Sequence, residues 1–300
     1  MQTGLWAARS VMKRVIAVVL ALVVLALAAS LFAGWVLTRP VQTSVGKAPA
    51  ELNAEAATFP SESGATVHGW WCPVAGSEGA VLLLPGVRAN RLSMVDRATF
   101  LRRAGYSVLL IDFQATGETE GRQITFGWRE SADVLAAVAF MRARQPNAKV
   151  AIIGSSLGGA AALLATPPLH VQAIILEAVY PTVERATDNR LRNYLGPIGP
   201  LGTPLLLVQL PIRLGVSARQ LRPIDHIAYV NCPVLVVNGD EDRRTTREDA
   251  LLLFGRALAP KQLWLIPDVG HVDVHRAARA RYESLVLQFL RASIGRPGMV

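Results

Sequence analysis

A serine hydroxyl attacks a carbonyl efficiently only when a base takes its proton and a third group holds that base in place. The sequence offers candidates for all three roles. In "KVAIIGSSLGGAAALLA" (Lys149–Ala165) a β-branched apolar run gives way to residues that favour a helix, with Ser155 and Ser156 at the joint. A turn that projects a side chain from a strand-to-helix junction leaves almost no room two residues before and after it. Ser156 satisfies that demand through Gly154 and Gly158, whereas Ser155 would place Ile153 and Leu157 there. Among five histidines, His271 in "PDVGHVD" follows a candidate strand, with His275, one helical turn further on, as the weaker candidate. His68, His170 and His226 read as surface or hydrogen-bonded residues. "VVNGDEDRRTT" places acids just past another strand, where Asp242 clears the strand end and Asp240 is the runner-up.

These residues need a frame that brings distant loops to one edge. Short apolar runs ended by turn residues recur along the chain. They are "AVLLLP" (80–85), "SVLLIDF" (107–113), Val150–Ile153, "AIILEA" (173–178), "PVLVVNG" (233–239) and "QLWLIP" (262–267), with "TVHGWWCPV" as part of an initial hairpin. Helical spacing separates them in "SMVDRATFLRRAG", at 129–144, from Leu157, in "REDALLLFGRAL" and from about Val274 to Ser293. Uniformly apolar strands alternating with helices predict a doubly wound, mostly parallel α/β sheet covered on both faces. The interval 180–231 is too long for one crossover helix. Its "GPIGPLGTPLLLVQLPIRLGV" is apolar but broken by four prolines, which predicts a short helical lid over the C-terminal sheet edge where such sheets bind ligands.

The N-terminus has a different character. Val15–Leu37 is 23 residues without a charge, enough for a helix to cross a bilayer, and Arg9, Lys13 and Arg14 precede it. The segment reads as an uncleaved anchor with its tip, within residues 1–39, in the cytoplasm and everything beyond outside it. A secretory signal cleaved after "ALA" (26–28), giving a secreted protein, is the alternative. Residues 40–57 read as a polar linker and 58–295 as the catalytic domain. The chain is 51% hydrophobic with a net charge of +9, and its arginines are scattered. Without a basic helix or aromatic-interleaved patch this argues against nucleic acid as a partner and suits anionic headgroups better. Cys72 and Cys232 are open to pairing in an oxidising compartment or to remaining separate buried thiols, and two cysteines alone make no metal site.

Roughly Phe59 to Leu290 resembles the α/β-hydrolase fold, whose triad follows the order Ser, Asp, His. It is most similar to the membrane-anchored serine hydrolases of the Bem46-like (ABHD13/17-like) group. The resemblance rests on "VLLLPGVRANR", "GYSVLLIDFQATGETEG", "GSSLGGAAA", "CPVLVVNGDED" and "GH". It implies an oxyanion hole from the backbone N–H groups of Val87 and Leu157. Two departures stand out: Pro85-Gly86 where the family reads H-G, and Gln114 and Ala115 within a loop that usually reads D-x-R-G-x-G-x-S. The reaction expected is hydrolysis of a carboxylic ester or thioester through an acyl-enzyme, on a small-molecule or lipid acyl substrate, without cofactor or metal. A serine peptidase or amidase on the same fold and a non-catalytic tethered binding module are the alternatives.

Overall fold

The computed structural model describes residues 2–77 and 79–295, with side chains from Met12 onward. The chain begins with helix α1 (Gln2–Thr38), in which Met12–Thr38 is long and apolar enough to cross a membrane and its most apolar window is 0% buried. Eight strands follow in one sheet. They are β1 (Glu55–Pro60), β2 (Thr66–Cys72), β3 (Gly79–Leu84), β4 (Ser107–Ile111), β5 (Lys149–Ser155), β6 (Ala173–Glu177), β7 (Val234–Gly239) and β8 (Lys261–Ile266). The spatial order is β8-β7-β6-β5-β3-β4-β2-β1, parallel from β4 across to β8 and antiparallel in the β1-β2 and β2-β4 pairs.

Side chains along β3 alternate between two cores, Leu82 and Leu84 entering one and Val81 and Leu83 the other. A strand buried on both faces leaves no room for unpartnered polar residues, which is why the central strands read as mainly apolar runs, with Glu177 and Asn238 buried near strand ends where they find hydrogen-bond partners. Helices α3 (Glu130–Arg144), α4 (Leu157–Leu164) and α9 (Arg247–Arg256) cover one face. Helices α2 (Val95–Arg103), α10 (Val274–Ala277) and α11 (Arg279–Ile294) cover the other. The expected single C-terminal helix is two, because the backbone at Ala278 leaves the helical region with φ −139°.

Between β6 and β7 the chain forms α5 (Val183–Leu195), α6 (Thr203–Leu207), α7 (Leu210–Leu214) and α8 (Pro223–His226) joined by 3₁₀ turns. A small core of Leu164, Val183, Leu210, Leu214, Val216 and Leu221 fixes this insertion to α4. The segment read as a linker is partly built into the domain. Val41 and Gln42 pair in parallel with Thr116 and Gly117, and the sheet begins at Glu55, three residues before position 58. Such short pairings carry no periodicity for a sequence to display. Cys72 and Cys232 are both free. Four strands separate β2 from β7, on the order of 20 Å at ordinary strand spacing. Burial pushes the Cys72 thiol up to about 12 and that of Cys232 to about 11, so neither is a reactive thiolate.

Candidate active site

Strand β5 ends at Ser155 and α4 starts at Leu157, so Ser156 alone makes the turn. Its φ of 47° and ψ of −107° lie where side-chain-bearing residues are strained by about 1–3 kcal/mol. The Ser156 N–H donates to the Glu177 carbonyl at 2.7 Å, and the Ser156 carbonyl accepts from Ala160 N–H at 3.0 Å. The flanking glycines are steric necessities. A Cβ on Gly154 would stand 2.5 Å from the Gly159 nitrogen, and one on Gly158 would stand 2.5 Å from the Leu84 carbonyl oxygen. The second contact arises because β3 and β5 are neighbours in the register that pairs Leu84 with Gly154.

His271 lies in the loop after β8, and its Nδ1 is 2.7 Å from Asp242 Oδ2. Asp242, 3% exposed, follows β7 in a tight turn that satisfies both carboxylate oxygens. Oδ1 accepts the backbone N–H groups of Arg244 (2.7 Å) and Thr245 (3.0 Å), and Oδ2 accepts the Thr245 hydroxyl (2.7 Å) as well as the imidazole. Burial pushes this carboxyl up, but the bond and charge of His271 and the Thr245 donors more than offset it, leaving Asp242 below the usual carboxylate range. An ionised acceptor at Nδ1 holds the proton there and leaves Nε2 free to accept one. The two alternatives lie elsewhere. Asp240 only continues the strand end, its N–H bonded to the Ile266 carbonyl at 3.0 Å. His275 is buried, stacked on Phe100, with Nε2 3.0 Å from Glu283 Oε1.

Ser156, Leu157, Val87 and His271 all line one cavity of about 390 Å³, a volume ordinary for a small-molecule site. The loop after β3 reaches it despite Pro85: the Cβ position of Gly86 lies 3.9 Å from the Ser156 Cβ. Leu157, opening α4, follows the serine directly, and Val87, next after Gly86, lines the same cavity. A buried network ties the pieces together. Arg97 donates to both oxygens of Glu177 (3.0 and 2.7 Å) and both of Asp273 (3.2 and 2.7 Å), and the Tyr282 hydroxyl donates to Glu177. Glu177 supplies the carbonyl that holds Ser156, and Asp273 sits two residues past His271, so one guanidinium braces the turn and the histidine loop. Among the described residues no group of three or more His, Cys, Asp or Glu side chains is placed to hold a metal ion.

Residues 75–198 match the family model described as serine aminopeptidase, S33. The chain is similar to the uncharacterized protein Rv2307c of Mycobacterium tuberculosis, 29% identical over 217 residues that cover 71% of this chain and 70% of the other. It is also similar to the α/β hydrolase domain-containing protein WAV2 of Arabidopsis thaliana, 26% identical over 255 residues covering 81% and 80%. Among solved structures, the Pyrococcus furiosus esterase Pf2001 superimposes with a TM-score of 0.72 at 20% identity, over 86% of this chain and 99% of that one. A match over that share of both chains decides the architecture. The chain has the α/β-hydrolase fold.

On this α/β-hydrolase fold the departure at Gln114 and Ala115 is accommodated locally. Gln114 donates through Nε2 to the Gln123 carbonyl (2.6 Å) and to Glu130 (2.8 Å), while its N–H donates to Asp133 (2.8 Å). Ala115 adopts a positive φ of 64°, at a cost of about 1–2 kcal/mol relative to a glycine there. One contribution was not legible in the sequence: the last turns of α1, including Phe32, Val36 and Leu37, form a wall of the cavity. Hydrogen bonds hold that wall. Gln209 donates to Ser30 Oγ (2.8 Å), Arg213 to the Leu31 carbonyl (2.8 Å), Arg88 to the Val36 carbonyl (2.8 Å) and Ile124 N–H to the Thr38 carbonyl (2.8 Å). Gly34 permits the approach, since a Cβ there would stand 2.5 Å from Gln209 Oε1.

Proposed function

We propose that this α/β-hydrolase is a membrane-anchored serine hydrolase that cleaves carboxylic ester or thioester bonds of acyl substrates. The observation that carries the reading is the pairing of His271 with Asp242 on the wall of the cavity that also holds the strained Ser156. In this mechanism His271 Nε2 takes the Ser156 proton as Oγ attacks the acyl carbonyl. The N–H groups of Leu157 and Val87 receive the oxyanion, a contribution typically worth about 3–4 kcal/mol per donor. His271 then protonates the departing alcohol or thiol, and later activates the water that releases the acid. Asp242 keeps the imidazole in the required tautomer and stabilises its charged form.

We assign residues 1–39 to a cytoplasmic tip and anchor, 58–295 to the catalytic domain and 180–231 to a lid, as in the Bem46-like group. Supporting the anchor, Arg39 stacks over Trp35 at 5.4 Å, the aromatic and basic pair favoured where a helix leaves a bilayer. The match to the serine aminopeptidase model favours a second reading, cleavage of peptide bonds by the same triad. Against it, the cavity is lined by Arg190, Arg213 and Arg244 and, among the described residues, by no carboxylate to receive a peptide amino group. Purified full-length protein should hydrolyse p-nitrophenyl acyl esters and leave aminoacyl p-nitroanilides intact. Faster turnover of the anilides would replace the esterase reading with the peptidase one.

A further inference from the structure

Two features of the cavity lie outside the chemistry of the triad. The first is its wall. Phe32 to Thr38 line it, and the same turns carry Trp35 and Arg39. A helix rises 1.5 Å per residue, so Phe32 lies only about 5–10 Å along the axis from that boundary pair. The cavity is therefore at the level where α1 leaves the bilayer. The insertion beside it exposes Tyr194 (71%), Ile198 (69%), Leu201 (80%), Val208 (65%) and Ile212 (88%). These exposed apolar side chains belong to an insertion that Gln209 and Arg213 bond directly to α1, the helix long and apolar enough to cross a membrane.

The second feature is charge. Arg190 and Arg244 line the mostly apolar cavity together with Ser156, His271 and Arg213, and neither pairs with a carboxylate among the described residues, whereas Arg213 is engaged by Gln209 and the Leu31 carbonyl. The buried guanidiniums of Arg91 and Arg97 are neutralised by Asp112 and Glu177, whereas Arg190 is half-buried and Arg244 exposed, both open to an anion that enters the cavity. Burial, and then the proximity of Arg244, lower the Arg190 guanidinium from its ordinary value, so an anion between the two would relieve their repulsion. Paired guanidiniums suit phosphate oxygens, which they bind through parallel hydrogen bonds.

We propose that the cavity takes a phosphate-bearing acyl ester from the adjoining membrane leaflet, its chain against the last turns of α1 and its phosphate against Arg190 and Arg244. This deepens the hydrolase reading and rests on it. The Ser156 Oγ–acyl bond forms as the ester C–O bond breaks, and His271 gives its proton to the departing phosphate-bearing alcohol. Water then releases the fatty acid and restores the serine. The lipid bilayer is the source because the insertion that exposes these apolar side chains is bonded to α1 and the last turns of α1 line the cavity.

The test uses full-length protein reconstituted in vesicles, with released fatty acid as the readout. Phosphatidylglycerol should be cleaved at least about ten-fold faster than diacylglycerol with the same chains. In the double variant Arg190→Gln/Arg244→Gln that ratio should fall toward one, while Arg243→Gln, outside the cavity, should retain it. Because the readout is a ratio, a variant that folds in part still reports it. A wild-type ratio near one, or a ratio preserved in the double variant, would overturn the proposal. Faster cleavage of a water-soluble butyryl ester of glycerol phosphate than of the vesicle lipid would overturn the bilayer as source. If p-nitrophenyl butyrate is cleaved in either case, the hydrolase reading stands alone; if no ester is cleaved, both fall.

Discussion

Replacing Asp242 by Asn should disable the site through the tautomer of His271 rather than through the fold. The orientation of the new amide is dictated by its neighbours. Two backbone N–H groups, of Arg244 and Thr245, converge on Oδ1, so the amide oxygen must stay there. The NH₂ group then takes the place of Oδ2, facing the Thr245 hydroxyl and His271 Nδ1. The hydroxyl can rotate to accept, so the turn survives. The imidazole must also accept, which moves its proton to Nε2, where it can no longer take one from Ser156. Loss of the correct tautomer in a serine triad typically costs about 10⁴-fold in kcat, or about 5.5 kcal/mol of transition-state stabilisation. The assay is steady-state hydrolysis of a p-nitrophenyl ester, with thermal unfolding as a check on folding. Retention of more than about a tenth of the wild-type kcat would refute the reasoning. So would a larger loss in Asp240→Asn.

The remaining predictions address the elements around the triad. Gly158→Ala places a methyl 2.5 Å from the Leu84 carbonyl oxygen, so it should destabilise the fold by about 1–3 kcal/mol and abolish esterase activity, as chemical denaturation and turnover would show. Burial pushes Asp133 from 3.8 up to about 6. Its contribution to stability is therefore complete below about pH 4 and lost as the pH rises through about 6, a difference of about 3 kcal/mol. Asp133→Asn should remove that fall from the pH dependence of denaturant unfolding, and an unchanged profile would contradict the assignment. Gln209→Ala removes the bonds from the insertion to Ser30 and should lower kcat/KM for long-chain esters several-fold more than for acetyl esters. Equal losses would show that the wall of α1 does not touch the acyl chain.

The parts of this protein legible in its sequence are those encoded within a few residues. The central strands announce themselves because burial on both faces leaves no polar position in "AVLLLP" and only Asn238, its amide bonded to the Gly239 and Thr245 carbonyls, in "PVLVVNG". The turn at Ser156 is equally local, since the clashes that demand Gly154 and Gly158 lie within one strand-turn-helix unit and its neighbouring strand. What stayed hidden depends on contacts between distant segments of chain. Arg97 meets Asp273 across 176 residues, and Gln209 meets Ser30 across 179. Neither pair has a spacing that periodicity could reveal. Helix α1 reads simply as apolar, because any helix long and apolar enough to cross a membrane would, and nothing in Phe32–Thr38 indicates that these turns also border a cavity. Thr245 had a local signal, an acid followed three residues later by a hydroxyl, but such turns are common without any imidazole nearby.

The central claim is that Ser156 is the nucleophile of a serine hydrolase. A fluorophosphonate probe forms a covalent bond only with an activated hydroxyl, so the most direct measurement treats full-length protein with the probe and maps the modified peptide. The account predicts one label per chain, on Ser156, and none on the Ser156→Ala variant, with His271→Ala labelled at least about a hundred-fold more slowly. Absence of labelling in the wild type, or equal labelling of Ser156→Ala, would contradict it.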